Sequence, residues 1–339
     1  MADEPALCPE SLVDPDAAPR LGAFSGRMRD TSLERLGGGL KREGWRRLAS
    51  EKRWHYACVA SPELFVGGAI VQLGYLASAF LYVFDRPGRR MLAQHSFLLP
   101  PPLVEIDDLA AEARATMRRV RSRMLIEASA SAGRFSADLY GGRLAVEIAL
   151  RPGSGPAALT AVCPVAGGGV TMTQKTVCLP AEGEVRVGDR VLKVEGALAA
   201  LDYSHGYLGR ETRWRWASAS GRLPDGRPLG LNLVEGHNDG AVTENALWIG
   251  SSPTQPGRAH FELDESDPSR PWRVSTDDGR VDLRFLPEGL RGEDRDLKII
   301  ASQYVQPMGT FEGVVRDSAG ETIEIAGVPG VMERHRVRW

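Results

Sequence analysis

GVMERHRVRW, Gly330–Trp339, decides the fold class. Read two at a time, it puts Val331, Glu333, His335, Val337 and Trp339 on one side and Met332, Arg334, Arg336 and Arg338 on the other. That alternation is the period of a β-strand, whose successive side chains point to opposite faces. The arginine face must be wet, which places Glu333 and His335 on the inner face with Val331 and Trp339. A carboxylate and an imidazole on a mostly apolar face cost free energy unless paired or hydrogen-bonded. The segment thus predicts both a strand and buried polar chemistry.

The same character recurs upstream. KRWHYACVA (52–60), ELFVGGAIVQLG (63–74), YLASAFLYVFD (75–85) and RRMLAQHSFLL (89–99) are short β-rich runs separated by Ser-Pro, Gly or Arg-Pro-Gly. Further runs, from RMLIEASAS (123–131) to LKIIASQYVQ (297–306), keep the roughly ten-residue turn spacing of sandwiches and barrels. Helical spacing is legible in VEIDDLAAEARATMRRV (104–120), which predicts one helix or a helix running into a strand. A parallel doubly wound sheet needs a helix after nearly every strand, and this chain supplies too few. The expectation is an all-β protein of two antiparallel barrels or curled sheets. Residues 1–50, rich in Pro, Gly, Asp and Arg, form an irregular arm, 51–195 a first β-unit and 196–339 a second.

Composition narrows the function classes. The 339 residues carry 42 Lys and Arg against 44 Asp and Glu, a net charge of −2, so no overall basic field exists to hold nucleic acid. The longest apolar stretch, Leu64–Tyr82, is broken by Gly67, Gly68, Gln72, Gly74 and Ser78 and reads as two paired strands rather than a spanning helix. The residues after Met1, ADEPALCPES, lack the basic and apolar regions of a secretory signal. A soluble, cytoplasmic protein with no integral membrane segment is expected; oligomeric state cannot be read. Cys8, Cys58, Cys163 and Cys178 are far apart and indicate neither a zinc site nor a disulfide framework. The GGG runs at 37–39 and 167–169 lack the Lys-Ser/Thr that follows a phosphate loop, and no GxSxG elbow occurs.

Besides GVMERHRVRW, four segments could carry chemistry. In DYSHGYLGR (202–210), read as a loop, Asp202, His205, Tyr207 and Arg210 form either an anchoring cluster at a cavity mouth or a well-bonded turn. In ETRWRWAS (211–218), Trp214 and Trp216 share a face and line whatever cavity lies there, or pack in the core. In LNLVEGHND (231–239), Leu231, Leu233, Glu235 and His237 share a face, a second carboxylate two residues from an imidazole. TENALWIG (243–250) adds Glu244 and Asn245, with Trp248 on the Glu244 face. A carboxylate beside an imidazole can orient its tautomer and raise its basicity, as a general acid or base requires. Glu333, His335, Glu235, His237 and Glu244 are therefore the candidate catalytic residues. Trp214, Trp216, Asn245, Trp248, Tyr207 and Arg210 are the candidate ligand-binding ones. No His or carboxylate spacing matches a metal-ligand motif, and no cofactor is expected. Trp54, Tyr56 and Cys58 share one face of a core strand, with His55 turned outward or into the contact between the units.

The ordered set ALCPESLVDPD, KRWHYACVAS, HGYLGRETRWRWAS, GLNLVEG, TENALWIG and GVMERHRVRW resembles the bacterial family called domain of unknown function 2804 over about Leu7–Trp339. Trp214, Trp216, Asn232, Glu244, Asn245, Glu333, His335 and Trp339 fit its pattern. RWHYA (53–57) departs from its RWNYW-like stretch and SHGYLGRETRWRW from its GRG-WPY-like turn, so no role is carried over to His205 or Tyr207. More distantly the chain is similar to lipocalin-like two-domain proteins, among them carotenoid hydratases, tocopherol cyclase and fungal cyclising enzymes. That likeness implies two calycin-like units and cofactor-free proton transfer to an alkene or related apolar substrate, by a hydratase, cyclase or isomerase. A lipid carrier using the same cavity without turnover, or a purely structural polar core, are the alternatives.

Overall fold

The computed structural model describes residues 4–296, 298 and 300–339. It is 63% strand and 6% helix, which makes the chain all-β. Among the described residues one sheet has 14 strands and another nine. The first is nearly closed into a barrel and the second curls into a half-barrel. Positions 1–3 of the expected arm and 297 and 299 of the expected strand 297–306 lie outside the described residues.

In the first sheet, alternation sends one face of each strand inward. In Glu51–Ala60, Ala57 and Val59 enter the barrel core, while Tyr56 and Cys58 face the second sheet. The arm helps fill the barrel: Leu12, Met28, Leu33 and Leu36 are buried in the same core, and Gly22–Ser25 pairs with Leu159–Val165. His55 is also inside, edge-on to Tyr203 with ring centroids 5.9 Å apart, so it is not turned outward or into the contact between the sheets. Burial pushes its pKa down to about 4, leaving it neutral.

Two expectations are corrected. The predicted helix over 104–120 is a strand Val104–Ile106, a single 3₁₀ turn Ala110–Glu112 and a strand Ala113–Arg119. Ala113, Ala115 and Met117 are buried at a spacing of two, and the sheet supplies the pairing that overrides Ala-rich helix propensity. The α-helix lies instead at Gly44–Ser50. DYSHGY is strand rather than loop: Arg190–Tyr207 is one long strand that passes residue 195 without leaving the first sheet, and the second sheet starts at Glu211.

A third apolar cluster joins the sheets, with Tyr56, Phe65, Tyr82 and Phe84 of the first against Trp216, Val234, Met308 and Val331 of the second. A fourth places Val177, Cys178 and Ala200 against Ala246 and Trp248. Gly230 marks how close this approach is: a Cβ there would run into Val177 and come within 3.1 Å of Cys178 Sγ. Gly230→Ala is expected to cost about 1–3 kcal/mol by overpacking; urea unfolding would measure it, and an unchanged midpoint would mean the seam yields.

Candidate functional site

Strand register builds the site across the gap between the sheets. In the first sheet Lys175 lies directly opposite Asp202, and Asp202 opposite Tyr56. In the second, Trp216 lies opposite Glu333, and His335 opposite both Trp214 and Tyr304. These side chains, with Trp54, Phe80, His237, Asn238, Glu244 and Trp339, line a cavity of about 110 Å³ between the sheets. The barrel interiors are occupied by apolar side chains, so this site is not inside either barrel.

Glu333 is a buried and strongly perturbed carboxyl of the cavity. Its Oε1 accepts from Trp214 Nε1 at 2.7 Å, and its Oε2 accepts from Gln306 Nε2 at 2.9 Å. Gln306 is itself held by the Tyr56 hydroxyl at 3.4 Å. Burial pushes the Glu333 pKa up to about 7; the Trp214 and Gln306 donors oppose the rise and the Asp202 charge adds to it. The carboxyl is therefore poised between acid and base near neutrality, as general acid catalysis requires. Trp214→Phe removes the leading opposing donor and is expected to move the Glu333 titration up by roughly one unit. Carbon NMR of labelled glutamate would follow it; an unmoved titration would show that the indole N–H does not tune this carboxyl.

A second polar group faces the same space. Lys175 Nζ sits 2.8 Å from Asp202 Oδ2 and 3.5 Å from Glu244 Oε1, and 5.5 Å above the Trp216 ring. Burial works against its charge, but the two carboxylates outweigh that and hold its pKa above the ordinary value. Asp202 also accepts from Trp54 Nε1 at 3.3 Å, Thr173 at 3.2 Å and Ser204 at 3.0 Å. Glu244 accepts from Asn238 at 3.1 Å, and burial raises its pKa, aided by Asp202 and opposed by Lys175. One cation thus stands against two buried carboxylates, and the proton affinity is raised at Glu244.

The imidazoles are neutral. His335 donates to or accepts from Ser302 Oγ at 2.9 Å, and its ring lies edge-on to Trp214 and Tyr304. Burial pushes its pKa down to about 3, helped by Arg291. His237 is pushed down to about 4 by burial and by Lys175, and its Nε2 has no hydrogen-bond partner among the described residues. Glu333 and His335 do not form the expected pair: residues two apart on a strand stand about 6–7 Å apart on one face, too far for a direct hydrogen bond. Each finds a partner on a neighbouring strand instead.

The structure brings together Glu333, His335, His237, Glu244, Trp214 and Trp216, and leaves out the other candidates. Glu235 and His237 do not share a face. The strand Pro228–Glu235 ends at Gly236, whose φ of +88° redirects the chain, so Glu235 bonds Arg215 at 2.7 Å while His237 enters the cavity. Asn245 is spent on backbone, accepting from Val234 N and donating to Gly257 O. Trp248 belongs to the inter-sheet seam and donates to Ala157 O. Tyr207 joins the first barrel's core, and Arg210 bonds the Trp339 carbonyl. His205 is enclosed elsewhere, against Glu51 at 2.9 Å. Lys175, Asn238 and Tyr304 escaped the sequence reading, and Trp54 and Tyr56 were read as core. The usable signal was a lone Lys175 in TMTQKTVC, a charge inside a buried strand; Asp202, already named in the DYSHGYLGR cluster, is its strand partner. Among the described residues no group of three or more His, Cys, Asp and Glu is arranged to hold a metal.

Fold and site together define an all-β protein whose nearly closed barrel-like sheet and curled half-barrel sheet enclose a carboxyl, lysine and aromatic cavity at their contact. Residues 9–339 match the family model described as Domain of unknown function (DUF2804), and the chain belongs to that family. No curated protein matches it in sequence. Among solved structures it is similar to CghA with Sch210972, with a TM-score of 0.51 at 12% identity over 98% of this chain and 97% of that one. CghA alone gives 0.48 at 13%, again over 98% and 97%. Kievitone hydratase from Nectria haematococca gives 0.46 at 10%, over 86% and 90%. At such identity, what is shared with CghA is the fold.

Proposed function

We propose that this protein is a hydratase, cyclase or isomerase that transfers a proton, without a cofactor, to a lipophilic unsaturated molecule held between its two sheets. The observation that carries this reading is the Glu333 carboxyl, buried in an aromatic cavity with its pKa raised to about 7. Glu333 is the proton donor. Trp214 and Gln306 fix its orientation, and the Trp54, Trp214, Trp216, Tyr56 and Phe80 rings offer π-faces to a cation developing on the substrate. The Lys175, Asp202 and Glu244 group stands opposite and takes up the proton released when the cation collapses to product, its excess carboxylate acting as base. The neutral imidazoles of His237 and His335 complete the wall. At about 110 Å³ the cavity is smaller than the roughly 300–1,000 Å³ of whole-ligand sites, so it encloses the reacting end of such a molecule. The fold is shared with CghA, which was crystallised with Sch210972.

The test begins with gentle purification and native mass spectrometry to identify any retained lipophile. That molecule and unsaturated analogues are then incubated with the protein in heavy water. Enzyme-dependent deuterium on carbon supports the proposal; a retained molecule that takes up none defines a carrier and ends it.

A further inference from the structure

At one end of the first sheet, register brings three hairpin turns side by side. Arg119 pairs with Ser122, Ser122 with Leu139, Leu139 with Leu144, Leu144 with Val187 and Val187 with Arg190. The turns at 120–121, 140–143 and 188–189 therefore form one continuous rim, tied by Gly141 N to Arg121 O and Gly188 N to Arg143 O. The first turn carries exposed Arg118, Arg119 and Arg121, the second Arg143, and the third Arg186 and Arg190. Among the described residues none of these six is in an ion pair, whereas the neighbouring Arg123 is matched by Asp138. Asp189 is the one acid within the three turns. Apolar side chains stand between the arginines: Val120 is 87% exposed at the hairpin tip, Val191 48% and Tyr140 40%. Arg121 and Tyr140 hold φ of +57° and +56°, where glycine or asparagine would sit without strain.

We infer that this rim is a docking surface for an anionic lipid bilayer, its arginines seated on lipid phosphates and Val120 and Tyr140 set among the headgroups. Charge alone would also fit a nucleic acid or an acidic protein. The protruding valine on the most basic turn separates the cases, because a phosphate backbone offers nothing to an aliphatic tip while a headgroup layer does. Such binding is peripheral and reversible, consistent with a protein in which no helix is long and apolar enough to cross a membrane. The overall charge of −2 makes this local excess of cations the more specific. The rim lies at the Ala60 and Leu198 end of the sheet, away from Tyr56 and Asp202 at the cavity. Docking and proton transfer are thus separable.

The test is sedimentation of the full chain with phosphatidylcholine vesicles and with vesicles containing about 30% phosphatidylglycerol. Binding is expected only to the anionic vesicles, and is expected to be lost in about 0.5 M salt. The triple variant Arg118→Glu, Arg119→Glu, Arg121→Glu should bind roughly 100-fold more weakly, and the uncharged change Val120→Ser should weaken vesicle binding but not heparin binding. All four positions are exposed, so circular dichroism should be unchanged. No sedimentation with anionic vesicles, or an unweakened triple variant, overturns the inference. Equal losses on heparin and vesicles in the triple variant, with Val120→Ser silent on both, would identify a general polyanion surface and overturn it as well.

Discussion

Glutamine in place of Glu333 is expected to lower turnover by about 10²–10⁴-fold, the ordinary contribution of a general acid, with the fold retained. The amide can still accept from Trp214, so the cavity keeps its shape while the transferable proton is gone. The same variant gives a second readout that needs no substrate. Burial holds the native carboxyl at about 7 against an ordinary 4.5. A carboxyl whose native pKa lies above its unfolded one stabilises below the unfolded value, and that contribution is lost as pH rises through the native value. Wild type should therefore lose on the order of 3 kcal/mol from this group between about pH 4.5 and just above pH 7. Glu333→Gln does not pay that cost, so its stability relative to wild type should improve between about pH 5 and pH 8. Urea unfolding at the two values measures the difference; parallel behaviour of the two proteins would mean the carboxyl is already ionised at neutrality.

Methionine in place of Lys175 is expected to destabilise the protein by about 3–5 kcal/mol, the cost of removing one partner from a buried charge group. Asp202 and Glu244 would then face each other's charge in a cavity with no cation to divide between them. Adding Asp202→Asn and Glu244→Gln to the methionine variant removes the repulsion and should recover most of the loss, since a neutral polar set of the same volume no longer needs the lysine. Denaturant unfolding of the three proteins at neutral pH checks this. A loss below about 1 kcal/mol in Lys175→Met would show the group to be solvated like a surface pair.

The strand character of this chain was legible because its period is local. GVMERHRVRW alternates strictly, and the structure places Glu333 and His335 in the cavity with Met332 in the opposite core. LNLVEGHND misled because alternation was carried through Gly236, where a left-handed backbone breaks the period. The stretch 104–120 misled because alanine spacing admits two periods, and pairing with neighbouring strands chose between them.

What the sequence by itself determined is therefore the class of the fold and the strands on which acids, imidazoles and indoles lie, since two-residue alternation and turn residues act over a few positions. What only the tertiary structure decided is the membership of the site. Lys175 and Asp202 are 27 positions apart and meet through strand register. Glu333 meets Gln306 on the next strand and, with Trp54 and Tyr56 across the seam, closes one cavity. Register and sheet-on-sheet packing are long-range choices set by the whole core. The Glu333 carboxyl owes its raised pKa to the burial that packing alone creates.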